Sequence, residues 1–111
     1  MKDFPEFIKA LPELEVPFEG VEGWLLQGEA KQVAFVHFEH ETVVPEHSHA
    51  AQWELVIAGE VHLNISGEEK FYQAGQGFYV PAGVPHGAVV GAGFRSVIFF
   101  DQVDRYQAKS G

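Results

Sequence analysis

Beyond Pro12, no stretch of this chain keeps the three-to-four-residue apolar spacing of an amphipathic helix, and that excludes most folds at once. What recurs instead is a period of two, cut by glycine and proline. Val61, Leu63 and Ile65 alternate with His62 and Asn64, the pattern of a strand buried on one side. In Gln32–Glu39, Val33, Phe35 and His37 share one face while Ala34, Val36 and Phe38 share the other. Leu14–Phe18, Val21–Gln27, Trp53–Ala58, Glu69–Gln73, Phe78–Val80 and Phe94–Phe100 are the remaining strands the pattern predicts. Gly59-Glu60 and Ser66-Gly67 supply tight turns between them. About eight to ten short strands at such spacing predict an all-β chain, an antiparallel sandwich or barrel. Only Asp3–Leu11 suits a helical turn, with Asp3 as cap, Pro5 in the first turn, and Phe4, Phe7, Ile8 and Leu11 at helical spacing.

Composition narrows the function classes. At 111 residues, with 46% hydrophobic residues, the chain suits one domain with a real core, expected to span residues 1–111 around a barrel at about 21–101. A net charge of −9 with seven unclustered Lys and Arg disfavours nucleic acid and anionic membrane surfaces as partners. No apolar run nears the ~20 residues that span a bilayer, and the start lacks the apolar segment of a secretory signal; a cytoplasmic location is the default expectation. With no cysteine, any metal has to be held by nitrogen and oxygen donors. Because Gln32–Glu39 is apolar on both faces, its outer side is expected to meet a second subunit, making a homodimer.

The chemistry concentrates in Pro45-Glu-His-Ser-His-Ala-Ala-Gln-Trp-Glu54 and in Pro81-Ala-Gly-Val-Pro-His86. In a strand, positions two apart point the same way, so His47 and His49 can enter one interior. Gln52, Glu54 and Val56 share a face of the next strand, opposite Trp53, Leu55 and Ile57. A buried oxygen donor beside two inward histidines is stabilised by a cation and costly without one. His86 follows a proline-bounded turn that restricts its position. Of the other histidines, His62 reads as a solvated strand position, His37 as a core or interface residue, and His40 as a loop residue. Arg105-Tyr106 reads as packing on the outside. Arg95 and Asp101 share one face of the last strand, looking either into the barrel or out at its rim.

The two segments together resemble the cupin superfamily, over roughly residues 40 to 100. Its first motif runs histidine, any, histidine, three or four residues, glutamate, six residues, glycine; His47, His49 and Gly59 fill it. Counting back from Gly59 places the oxygen ligand at Gln52, and counting forward from His49 places it at Glu54. Its second motif is met by Gly75, Pro81, Gly83 and His86, with Val90 where asparagine is frequent. The resemblance implies an antiparallel double-stranded β-helix, or jelly-roll barrel. It further implies one divalent metal ion (Zn, Fe, Ni, Mn or Cu) on His47, His49, Gln52 and His86, with Gln52 preferred because spacing within one strand is less elastic than across a turn. Glu54 would then be free for proton transfer, and Asp101 lies near the catalytic aspartate of a uronate-linearising group. The activity implied is that of an isomerase, lyase or dioxygenase on a small sugar-derived, carboxylate or keto compound. The alternative is a non-catalytic binding or sensing module.

Overall fold

The computed structural model describes residues 3–109. Nine strands follow one short helix, α1 (Glu6–Lys9): β1 (Val21–Gln27), β2 (Gln32–Phe38), β3 (Thr42–His47), β4 (Gln52–Ala58), β5 (Glu60–Ile65), β6 (Glu68–Gln73), β7 (Gly77–Val80), β8 (His86–Val90) and β9 (Phe94–Phe100). They form two antiparallel sheets, one ordered β1-β2-β9-β4-β7 and the other β3-β8-β5-β6. Sequence neighbours are thus often separated in space, as in a jelly roll.

Period two decides what lies between the sheets. Ala34, Val36 and Phe38 of β2, Val56 of β4, Phe94, Ile98 and Phe100 of β9, and Val61 and Leu63 of β5 interdigitate in one core. The register carries four polar residues to the same interior: Gln32, Gln52, Glu54 and Ser96, all buried. The opposite face of the five-stranded sheet presents an apolar row across every strand, Leu26–Val33–Phe99–Trp53–Tyr79, paired neighbour to neighbour.

Several expectations are corrected. The N-terminal helix has four residues, not nine, and Pro5 occupies its N-cap without a side-chain hydrogen bond. Asp3 instead accepts from the Phe4 amide and pairs with Lys9, each at 2.8 Å. A turn this short closes too few hydrogen bonds to sustain an amphipathic helix, and Phe7 stays exposed. Phe4 is buried nonetheless, edge-on against Trp24 and Phe35 on the outside of the large sheet. Leu14–Phe18 makes only isolated bridges at Glu13 and Leu14, since Pro12 and Pro17 remove ladder donors on either side. One strand, β8, was not among those expected, and β3 starts earlier and ends sooner than the strand expected to carry both His47 and His49. In β3 the register slips between Val44 and His47, where Pro45 sits on an edge strand.

Gly59 and Gly75 both have positive φ, +79° and +90°, but only Gly59 is crowded: a Cβ there would lie 2.8 Å from the Phe94 Cα. Alanine in the left-handed region costs about 1–2 kcal/mol. Urea unfolding should therefore show Gly75→Ala losing roughly that much, and Gly59→Ala clearly more, because backbone has to shift as well.

Candidate metal centre

β3 and β8 bring His47 opposite His86 as direct cross-strand partners. His49 lies two residues past the end of β3, so it does not continue the strand face as the alternation suggests. It is placed instead by a backbone bond in which the Gly83 amide donates to its carbonyl at 2.9 Å. That bond ties the first histidine segment to the proline-bounded turn ahead of His86. The three rings then converge, with centroids 4.3 to 5.2 Å apart.

Their hydrogen bonds settle which nitrogen is available. His47 Nδ1 meets the Pro45 carbonyl at 2.8 Å, His49 Nδ1 the Ala50 carbonyl at 2.7 Å, and His86 Nδ1 the Val84 carbonyl at 2.9 Å. A carbonyl only accepts, so Nδ1 carries the proton in each neutral ring and Nε2 keeps its lone pair. His49 Nε2 and His86 Nε2 are buried and have no hydrogen-bond partner among the described residues. Burial lowers the His49 pKa to about 4, assisted by the positive charge of Arg105; it lowers His86 in the same direction. One ligand nitrogen from each ring lies within 4.8 Å of the others. Bonds of about 2.1 Å to a shared ion bring adjacent donors to roughly 3.0–3.4 Å of one another, so the rings have to turn inward to hold a divalent cation.

β4 supplies the oxygen chemistry. Ser96 Oγ donates to Glu54 Oε2 at 2.7 Å, and the Gln52 amide nitrogen donates to Glu54 Oε1 at 3.2 Å. With its nitrogen so engaged, Gln52 retains a free carbonyl oxygen. Glu54 has both oxygens occupied, and burial pushes its pKa up to about 7 despite those two donors.

A cavity of about 290 Å³ opens beside this group, lined by His47, His86, Gln52 and Glu54 and walled by apolar side chains such as Phe38, Leu63 and Ile98. Two residues expected outside also line it: Arg105 and Tyr106. The cause is Gln32, buried in β2, whose amide donates to the Tyr106 carbonyl at 2.9 Å and accepts from the Tyr106 amide at 3.0 Å. A glutamine at an inward strand position was the available signal, since a buried amide demands partners.

Asp101 is not brought to the cavity. It lies just beyond β9, exposed, with Lys31 Nζ at 2.6 Å. Alternation places it on the side of exposed Phe99, whereas buried Phe100 faces in. Arg95 likewise faces away from the cavity, paired across strands with His37. His37 is 3.3 Å from Glu22, His62 lies tilted against Phe71 on the outside, and His40 is an exposed bend; none joins the triad.

The buried groups give metal-free protein a testable pH dependence. Glu54 has a raised pKa, so its contribution to stability is full below about 4.5 and is lost as pH rises through 7. His49 has a lowered pKa, so its contribution is present above 6.5 and is lost as pH falls toward 4. In chelator-treated protein, denaturant unfolding should show Glu54→Gln gaining on wild type between pH 5 and pH 8. The gain should level off at no more than roughly 3 kcal/mol. A pH-independent difference would contradict the buried-acid assignment.

Comparison with known proteins is consistent with this architecture. A family model described as a cupin domain matches residues 34–94. A solved RmlC-like cupin from Shewanella frigidimarina NCIMB 400 is 28% identical, with a TM-score of 0.76 over 93% of this chain and 91% of that one. KdgF from Halomonas sp. is 21% identical, with a TM-score of 0.70 over 82% of this chain and 87% of its own. Oxalate decarboxylase from Bacillus subtilis, a protein with Mn(II) centres, is 18% identical, with a TM-score of 0.69 over 87% of this chain and 29% of its own. No curated protein sequence matches. The family match covers more than half the residues, includes His47, His49 and His86, and coincides with the two-sheet jelly roll: this chain belongs to the cupin family.

Proposed function

We propose that this protein holds one divalent metal ion on His47, His49, His86 and the Gln52 carbonyl oxygen. In this reading it is an enzyme of isomerase, lyase or dioxygenase type, acting on a small carboxylate, keto or sugar-derived compound. The observation that carries the reading is the shared tautomer: three Nδ1 atoms on carbonyls direct three Nε2 lone pairs to one place. Three imidazoles and an amide oxygen suit Zn, Fe, Ni, Mn or Cu. When bound, such an ion supplies Lewis acidity that polarises a substrate oxygen.

The protein's own part is positioning and proton handling. The largely apolar walls bound a space sized for a small molecule. Glu54 is the acid/base we assign. Its pKa of about 7 lets it take up or release a proton at neutral pH, with Ser96 and Gln52 holding its oxygens. The outward placement of Asp101 favours keeping a second reading, a binding or sensing module without turnover, because among the described residues it leaves Glu54 as the one buried carboxylate lining the cavity.

Metal analysis after purification tests the ligand set. Wild type should carry one ion per chain, and Gln52→Ala should weaken binding at least tenfold. Glu54→Ala should keep the ion and lose turnover of keto and uronic acids. Full metal retention by His86→Ala would overturn the site, and loss of metal in Glu54→Ala but not in Gln52→Ala would exchange the two roles.

We further propose a homodimer through the apolar row of the five-stranded sheet, where Leu26, Phe99, Trp53 and Tyr79 remain 49%, 48%, 42% and 60% exposed. The row is continuous across all five strands, so a second copy can cover it face to face. Sedimentation should give a dimer for wild type and a folded monomer for Phe99→Glu.

A further inference from the structure

We propose that Arg105 is the anion-recognition residue of the cavity, pairing with the carboxylate of a small organic acid whose other end faces the three histidines. This rests on the reading of the cavity as a small-molecule site.

A guanidinium stays charged and offers five donors. Arg105 makes no hydrogen bond or ion pair among the described residues, and its Nε is buried without a partner. No carboxylate of the described residues pairs with it. Both Glu54 oxygens are engaged by Ser96 and Gln52, and Asp104 accepts from the Gln102 amide at 3.0 Å. Glu46, at the cavity mouth, is exposed. Among the described residues, Arg105 is the one lysine or arginine lining the cavity. Arg105 is half-buried, and a planar carboxylate in the cavity can meet its unpaired guanidinium through two parallel bonds.

The group is also held ready. Its guanidinium carbon lies 4.5 Å from the Tyr106 ring centroid and 5.8 Å from that of Phe100. Phe100 in turn packs edge-on against His49, with centroids 5.6 Å apart. Gln32 fixes Tyr106 from one side, and Gln102 accepts from the Ala50 amide at 3.0 Å on the other. The segment therefore presents its charge from an anchored platform, which lowers the ordering cost of binding. One cation over about 290 Å³ of largely apolar space selects a small monocarboxylate.

Calorimetry on zinc-loaded and on chelated protein tests this, with pyruvate, lactate and glucuronate each set against its methyl ester. Wild type should prefer at least one free acid over its ester by roughly tenfold or more. Arg105→Met should abolish that preference at unchanged zinc content, and Arg105→Lys should keep part of it. Should Arg105→Met fold poorly, Arg105→Gln reads the same contrast. Equal binding of acid and ester by wild type would overturn the proposal. So would a preference undiminished in Arg105→Met, or inorganic phosphate competing as well as the acids. An Arg105-dependent acid preference in a wild type that takes up no zinc would support this proposal while removing the metal reading.

Discussion

A ring nitrogen bonded to a backbone carbonyl is committed as a donor, and three such commitments govern the interior of this protein. Pro45, Ala50 and Val84 each hold a histidine Nδ1. Each bond fixes a tautomer and a ring direction together, so the opposite nitrogens meet as lone pairs in a largely apolar space. Without a cation, buried polar atoms so exposed to one another would be a net loss, since their hydration is removed and nothing replaces it. The sandwich tolerates them because its remaining interior is densely packed phenylalanine, valine, leucine and isoleucine.

The same logic orders the oxygens. Ser96, with no measurable exposure, bonds Glu54, and Glu54 orients the Gln52 amide. A hydroxyl on β9 thereby decides which end of a side chain on β4 is available. The chain of contacts crosses from β9 to β4 and then runs along β4 on its inward face.

Much of this was legible in the sequence, for a local reason. Alternation has a period of two whether or not a partner strand is known, so the ends of β1 and β9 follow directly from residue pattern, and those of β4 to β7 fall within one residue. Gln52 and Glu54 face inward, as their alternation with Trp53 and Leu55 implies. What failed depended on distant contacts. His49 leaves its strand and is held by Gly83, a partner more than thirty positions away. The outward placement of Asp101, by contrast, follows from local alternation: it is one step out of phase with Phe100, and a single step reverses a side chain. Arg105 looked like a surface residue because nothing near it in the sequence reveals the grip of Gln32 on Tyr106.

That grip has an evolutionary corollary. The histidines belong to strands and turns of the barrel, whereas the opposite wall belongs to a terminal stretch fastened by a few backbone bonds. One of these runs from Glu15 to Gln107, another from Lys109 to Glu13. Residues in that stretch can diverge without disturbing either sheet. The histidine triad and the wall that carries Arg105 thus lie in separable parts of one small chain, so substitutions in the tail can reshape the pocket while leaving the three rings where they are.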